Sequence, residues 1–472
     1  MSLLKNRRRW VPTGLAAAGL VLAGLVLAGC GGDSPATTAP PAAAGTGGQP
    51  RFDVVQTVAL SPGHDRLLGA VFDPRNRLYA AGWVGEGADQ LMAVTRFSPD
   101  GTVDAGFGAN GVATVNVAKG GKAVELARGV VVQSDGKVVV AGPVEHDPAA
   151  TGDAAKDTDI ALARFDETGR LDPAFGSGGV ARLDLSTGVA DGTAYRGDTA
   201  WGLVKLSGDR LLVVGNQVGV GPGRIDVDFA VVRLNADGSR DASFGTGGTA
   251  LVGVGPGVSE SPKTAVELPD GRVVAAGYAT VNGVVAAVLF RLTTSGALDP
   301  TFAEGGIAVR PVLGNVTEAY SVVLAGNRLV TTGYGKDTAE AKVDLIANGF
   351  TLDGALDRSF GTNGLTRVDV AGDDDRGRNL AALPDGRTIL VGSAKPGGSN
   401  VDAMVVRLHA TGGPDSGYGQ GGRKLYDVGG PNDAFFGVAV SPDGSRVAAV
   451  GYLGCDTTGG ETDDGAVLWL QP

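Results

Sequence analysis

The sequence predicts an all-β protein built from a repeated four-stranded unit, and three observations lead there. Of 472 residues, 79 are Gly and 23 are Pro, about a fifth of the chain. Hydrophobic residues reach 43% against 19% charged, so the chain has a core to bury and is not a disordered polymer. Short β-branched runs recur between Gly and Asp turns at a near-constant period. A long-helix protein is excluded, because Gly costs about 1 kcal/mol at each helical position.

The first element is an address. Residues 1–29 hold Lys5, Arg7, Arg8 and Arg9 but no acid, and an apolar run from Gly14 ends in Leu27-Ala28-Gly29-Cys30. A basic start, a short apolar segment and small residues at the cut make a secretory signal. The run stops short of the roughly 20 residues that span a bilayer. Leu-Ala-Gly-Cys resembles the bacterial lipobox, which implies cleavage before Cys30 and a lipid on that cysteine. Residues 30–51, rich in Gly, Ala, Pro and Thr, read as a flexible tether. Gly31, in place of an acid after Cys30, resembles the sorting signal for the outer membrane. The expectation is an exported bacterial lipoprotein held at the membrane by its N-terminal lipid.

Loss of the signal leaves 36 Lys+Arg against 51 Asp+Glu, a net charge of −15, with no basic stripe. Nucleic acid is therefore not an expected partner. With Cys30 acylated, Cys455 has no cysteine to pair with, and packing must hold the fold.

Residues 52–472 repeat. Each copy has an apolar run, a turn of the D-G-[KR] type, a second apolar run and a closing Gly. The clearest turns are Asp135-Gly136-Lys137, Asp270-Gly271-Arg272, Asp385-Gly386-Arg387 and Asp443-Gly444-Ser445-Arg446, with weaker forms at 75–77, 208–210 and 326–328. The closing glycines are Gly82, Gly142, Gly215, Gly277, Gly333, Gly392 and Gly451, spaced 60, 73, 62, 56, 59 and 59 residues apart. Between copies lies an Arg followed by D-x-x-[FY]-G-x-x-G, as in Arg96 to Gly111, Arg164 to Gly179, Arg233 to Gly248 and Arg407 to Gly422. The copy from Arg291 has Ala303 for one glycine, and the one ending at Gly364 has Gly349 in place of Arg. A four-stranded unit of about 60 residues cannot bury both faces alone; stacking copies around an axis buries them on their neighbours. The prediction is a seven-bladed β-propeller of four-stranded antiparallel blades. In the third unit the strands are expected at Ala181–Leu185, Trp201–Leu206, Leu211–Val214 and Phe229–Leu234. Read simply, the first blade uses 52–97 and the last 423–470, with no strand shared between the termini.

These motifs resemble the delta-60 repeat family of bacterial secreted and surface proteins, over roughly residues 52–470. The resemblance implies the propeller but assigns no activity. Because Asp104, Asp172, Asp241, Asp299 and Asp415, with the aromatics Phe107, Phe175, Phe244, Phe302, Phe360 and Tyr418, recur once per copy, they read as the fixture joining blades. A catalytic set occurs once. The two G-x-G-x-x-G matches, from Gly106 and from Gly417, have no helix to open and are coincidences of the repeat.

Catalytic signatures are missing from the sequence: there is no G-x-S-x-G, no P-loop and no H-E-x-x-H, and only His64, His146 and His409 among the histidines. Asp373-Asp374-Asp375 and Asp463-Asp464 offer oxygens to Ca²⁺, the one cofactor worth naming, but read better as solvated acidic turns. Cys455 has no neighbouring base to activate it.

Up-and-down strands place the D-G-[KR] turns and the D-x-x-F-G motifs on one face, and connections of varied length on the other. The longest of these run about 143–158, 184–199, 216–227 and 452–463. Binding residues are expected there: His146, Asp147, Asp191, Tyr195, Arg196, Asp198 and Arg224. One further position, nine residues before the end of each turn, holds Leu68, Arg128, Trp201, Lys263 and Arg378, with Tyr320 and Phe436 one residue off. It reads either as blade-to-blade packing or as a mouth in which Trp201, Tyr320, Phe436 and cations meet a peptide or sugar. The function expected is a monomeric, non-enzymatic, lipid-anchored scaffold that binds a protein, peptide or glycan. The alternative is a channel-site hydrolase or lyase acting on surface polymers.

Overall fold

A computed structural model describes residues 50–472, apart from 87–88, 119–123, 192–193, 399, 429–430 and 455–462. The signal, Cys30, nearly all of the tether and Cys455 therefore lie outside the described residues.

The chain folds into antiparallel sheets of four strands. Five stand alone, and a nine-stranded sheet holds two further four-stranded meanders, 260–310 and 321–368, bridged by the short strand Val316–Thr317. In the sheet of the third repeat the order is Thr199–Lys205, Leu211–Val218, Val227–Leu234 and Thr249–Val252. The sequence unit is thus offset by one strand from the sheet. Strand Val180–Leu183, read above as the start of the third unit, is the outermost strand of the sheet before it.

The same offset corrects the reading of the termini. Val55–Val58 pairs with Asp464–Leu470 and completes the last sheet, so the N-terminal strand and the C-terminal hairpin close one blade together. Phe52 bridges to Trp469, whose ring also meets Phe72 and Phe97.

Each sheet packs on the next. Apolar clusters span consecutive sheets, one joining Val140 and Phe165 to Tyr79 and Phe107, another joining Val450 and Trp469 to Leu67 and Phe97. The innermost strands Asp65–Phe72, Gly129–Val132, Thr199–Lys205, Glu260–Glu267, Ser321–Ala325, Asp375–Ala382 and Ala434–Val440 each contact the next, and the last contacts the first. The result is a β-propeller.

The closing glycines have one physical cause. Opposite five of them the innermost strand bulges, the register slipping at Leu68, Trp201, Lys263, Arg378 and Phe436, and at Gly142 and Gly333 the Leu126 and Glu318 carbonyls approach in the same way. The carbonyl displaced by the bulge sits where a side chain would begin, so a Cβ at Gly82 would collide with the Arg66 carbonyl and one at Gly451 with that of Ala434. Each such bulge turns one large residue toward the channel.

The repeated Arg–Asp–aromatic motif is the blade fixture the sequence suggests, although it joins the third and fourth strands within a blade. Arg233 Nε donates to Asp241 at 2.8 Å, its Nη1 donates to the Thr294 carbonyl of the next blade at 2.6 Å, and its guanidinium lies 4.5 Å from the Phe244 ring centre. Arg96, Arg164 and Arg291 do the same. Where Gly349 replaces the arginine, Arg328 from the neighbouring strand reaches Asp357 at 3.4 Å.

Candidate functional site

Seven equivalent positions, five of them at these bulges, form a collar inside the central channel, near the ends of the innermost strands that receive the irregular crossovers. Taken round the ring from Arg128, they alternate in character: Arg128, Trp201, Lys263, Tyr320, Arg378, Phe436, with Leu68 closing the circle. Arg128 stands 3.7 Å and Lys263 Nζ 3.4 Å from the centre of the Trp201 ring. Lys263 is also 4.6 Å from Tyr320, and Arg378 is 5.2 Å from Tyr320 and 5.3 Å from Phe436. A second layer supports them: Tyr278 stacks on Tyr320, the Tyr320 and Tyr334 hydroxyls are 3.3 Å apart, and Phe436 stacks on Tyr452 beneath Arg66. Of the sequence's two readings of this position, the packing one is what the contacts display: these side chains meet blade against blade around the channel.

Cation–π contact is the collar's main electrostatic support. Among the described residues, no carboxylate oxygen lies within 4.0 Å of the Arg128, Lys263 or Arg378 nitrogens. Burial pushes the Lys263 ammonium well below the usual lysine range, and the Arg128 charge pushes the same way. Burial brings Arg128 down to about 10. Glu318, two residues before Tyr320, is buried; desolvation raises its pKa against the pull of Tyr334, Lys263 and Arg378.

Beyond the collar, toward the D-G-[KR] face, the channel opens into a chamber of about 750 Å³. Val71, Val131, Leu203, Val266, Val323 and Leu380 line it. Glu267 at its edge accepts from the Ser207 amide and hydroxyl, each at 2.9 Å.

The long-loop candidates do not form one site with the collar. Exposed His146 pairs through Nδ1 with Asp159 at 2.9 Å, which raises its pKa. Asp147 accepts from the Ala149 amide in a local turn. Asp191 and Tyr195–Arg196 lie on a two-stranded hairpin, Val189–Asp191 with Ala194–Arg196. Arg224 is gripped by Asp226 and Asp228. Asp198, expected to face a ligand, is fully buried and accepts from the Leu185 amide at 2.5 Å and the Ser186 amide at 2.9 Å. Nor are the acidic turns solvated: Asp375 and Asp463 are buried, and Asp463 pairs with Arg66.

Asp198 belongs to a series that sequence reasoning missed. Asp65, Glu125, Asp198, Glu260, Thr317, Asp375 and Asp433 each stand three residues before a collar position. Each accepts amide protons from the crossover that enters its blade, as Glu125 does from Val117 and Ala118, and Asp433 from Val428. In five blades the signal was available as an acid twelve residues before the end of the D-G-[KR] turn. Crossovers of unequal length hid it from any count taken from the preceding motif.

Four segments, residues 133–175, 209–244, 268–302 and 383–418, match the family model described as "Domain of unknown function (DUF5122) beta-propeller". Each runs from a D-G turn to the motif aromatic, which supports a β-propeller family. No curated protein matches the chain. Among solved structures, a polysaccharide lyase, Uly1, is similar over 89% of this chain and 99% of its own at 10% identity, with a TM-score of 0.50. A streptogramin B lyase aligns over 88% of this chain and 97% of its own at 12% identity and a TM-score of 0.46. A Dyadobacter fermentans protein of unknown function aligns over 89% and 98% at 11% identity and a TM-score of 0.47. Such likeness concerns the fold alone.

Proposed function

We propose that the chain is a lipid-anchored, non-enzymatic propeller of seven blades that binds an envelope or extracellular partner through its irregular face and the collar beneath it. The count rests on the seven innermost strands that succeed one another round the channel. The observation that carries the binding reading is the collar: six large side chains of alternating cationic and aromatic character, gathered toward one end of the channel. Aromatic and cationic groups around a concave mouth suit recognition of an acidic peptide or glycan. The N-terminal tether holds that face free of the membrane.

The test is capture of a partner from envelope extract by the full chain, in parallel with two sets of variants. Tyr320→Ala and Lys263→Met alter the collar, while Arg75→Ala and Glu167→Ala alter an ion pair on the opposite face. Loss of the captured partner with the collar variants and its retention with the other pair is the expected result. Loss confined to the D-G-[KR] face places binding there and rejects the reading.

One observation favours the alternative, a lyase or hydrolase acting on surface polymers. Lys263, held toward its neutral amine form, stands beside Tyr320 and Tyr334 with Arg128 and Arg378 near, a set able to take a proton while cations hold an acidic sugar. Turnover of an acidic polysaccharide that Lys263→Met abolishes, with binding kept, would select this reading.

A further inference from the structure

We propose that Asp344, Asp369 and Asp375 form a binding site for a divalent cation of the calcium type, placed where one blade hands the chain to the next. Asp344 opens the third strand of its blade, Asp344–Phe350; Asp369 directly follows the outermost strand, Leu365–Val368; Asp375 opens the next innermost strand, Asp375–Ala382. Each offers one carboxylate oxygen, and the three oxygens lie within 4.8 Å of one another.

A second observation points to a ligand at this cluster. Asp375 is 0% exposed, and its Oδ2 accepts from the Val370 and Ala371 amides at 2.5 and 3.2 Å. Its Oδ1 is buried with no hydrogen-bond partner. At the equivalent places in two other blades the corresponding oxygen is satisfied: Asp65 Oδ1 accepts from the Ser61 hydroxyl, and Asp198 Oδ1 from the Ser186 hydroxyl, each at 2.6 Å. Ala371 stands where those serines stand. A buried carboxylate oxygen without a partner is rare in folded proteins and calls for one.

The charge fits. Arg367 Nε donates to Asp344 Oδ2, so three carboxylates and one guanidinium leave a charge of −2, that of one divalent ion. Carboxylates alone favour a hard cation with oxygen ligands over zinc. The comparable group in an earlier blade, His146, Asp159 and Asp184, does not share the feature. Its neighbour Asp198 already has the Ser186 hydroxyl, and Arg182 and His146 both occupy Asp159. Bound at 344, 369 and 375, the ion ties the crossover 369–374 to both blades, on the face given to binding.

Calcium titration of the full chain in detergent, after dialysis against EDTA, tests the site by calorimetry and by thermal midpoint at pH 7.5. The expected result is one bound ion per chain, a dissociation constant no weaker than about 1 mM, as in extracellular modules, and a midpoint raised by roughly 2 °C in excess calcium. Asp369→Asn, at an exposed position, is expected to fold and to lose the response. Ala371→Ser supplies the missing hydroxyl, and is expected to raise the calcium-free midpoint and weaken calcium binding at least tenfold. A parent chain whose heat and midpoint ignore both CaCl₂ and MgCl₂ overturns the proposal, as does an Asp369→Asn chain that responds like the parent.

Discussion

Lys263 holds its ammonium 3.4 Å from the centre of the Trp201 ring, and no carboxylate among the described residues lies within ion-pair distance of it. The indole supports the charge on one side, and Tyr320 and Tyr278 add to it at 4.6 and 5.3 Å. Desolvation still dominates, which is why the pKa falls. Replacing an unpaired buried charge by an apolar side chain of similar length is commonly neutral or stabilising. Lys263→Met is therefore expected to match or exceed the parent in urea unfolding at pH 7. Trp201→Ala, which removes the face both cations use, is expected to lose about 3 kcal/mol. A Lys263→Met chain that unfolds several kcal/mol more easily would mean that the ammonium has a partner not seen here.

Arg291 shows why the blade fixture needs arginine. Its Nε reaches Asp299, its Nη1 the Leu352 carbonyl of the next blade, and its Nη2 the Thr301 hydroxyl, while its plane lies 5.1 Å from the Phe302 ring centre. A lysine can make only one of these contacts at a time. Arg291→Lys is expected to cost about 2 kcal/mol, since a carbonyl of the next blade and a buried carboxylate lose charged donors. Arg310→Lys, whose ion pair with Glu304 is solvent-exposed, is expected to cost less than about 0.5 kcal/mol. Equilibrium unfolding of the two variants side by side checks the contrast.

Much of this was legible in the sequence. The turns, the closing glycines and the D-x-x-F-G motif recur in register, because each blade must solve the same backbone problem: a bulge opposite Gly82 in one is a bulge opposite Gly451 in another. The collar position could be found by counting from the turn for the same reason. Two things were not legible. Whether Val55–Val58 pairs with the strand after it or with Asp464–Leu470 is decided by ring closure, to which a linear repeat is blind. The clasping acids were obscured because a single Asp such as Asp198 in a long polar segment looks like every other surface acid, until its partners, the Leu185 and Ser186 amides, are known.

Closure gives a prediction of its own. Val55–Val58 covers the edge of the last sheet, and Phe52 and Val58 pack in the cluster that holds Trp469. A chain beginning at residue 48 is expected to keep the parent thermal midpoint. One beginning at residue 60 exposes an edge strand and uncovers that cluster. Its midpoint is expected to fall by more than about 5 °C, with aggregation on heating. Equal midpoints for the two chains would show that the shared blade contributes nothing.

The address is tested by the cysteine. Cys30→Ser in a bacterial host that processes lipoproteins is expected to abolish incorporation of labelled palmitate and to move the protein from the membrane pellet to the soluble fraction. The signal would then remain uncut or be cut elsewhere, read as a mass difference. Palmitate labelling that survives Cys30→Ser would point to another attachment site and remove the basis for a lipid tether.

The clasping acids set the pH dependence. Burial lifts Asp65 and Asp375 to about 6, Glu125 and Asp198 to about 7, and Glu260 to about 8, and it raises Asp433 as well. A carboxyl whose folded pKa exceeds its unfolded value of about 4 binds its proton more tightly in the folded state. Its contribution is complete below about pH 4 and is lost as the pH rises through the folded values, so stability falls between about pH 4 and pH 8. His146, also raised, pushes the same way from about pH 6.5 upward. Acids of the blade fixture, Asp241 held down by Ser243 and Arg233 and Asp415 by the Gly417 amide and Arg407, change protonation lower, below about pH 4, and act oppositely there. The thermal midpoint is expected to be highest near pH 4.5–5 and to decline steadily toward pH 8. Asp198→Asn is expected to flatten that decline, because the amide oxygen can still accept from Leu185 and Ser186 but no longer titrates. A midpoint that climbs from pH 5 to pH 8 would mean that these carboxylates ionise in the folded protein as freely as in water.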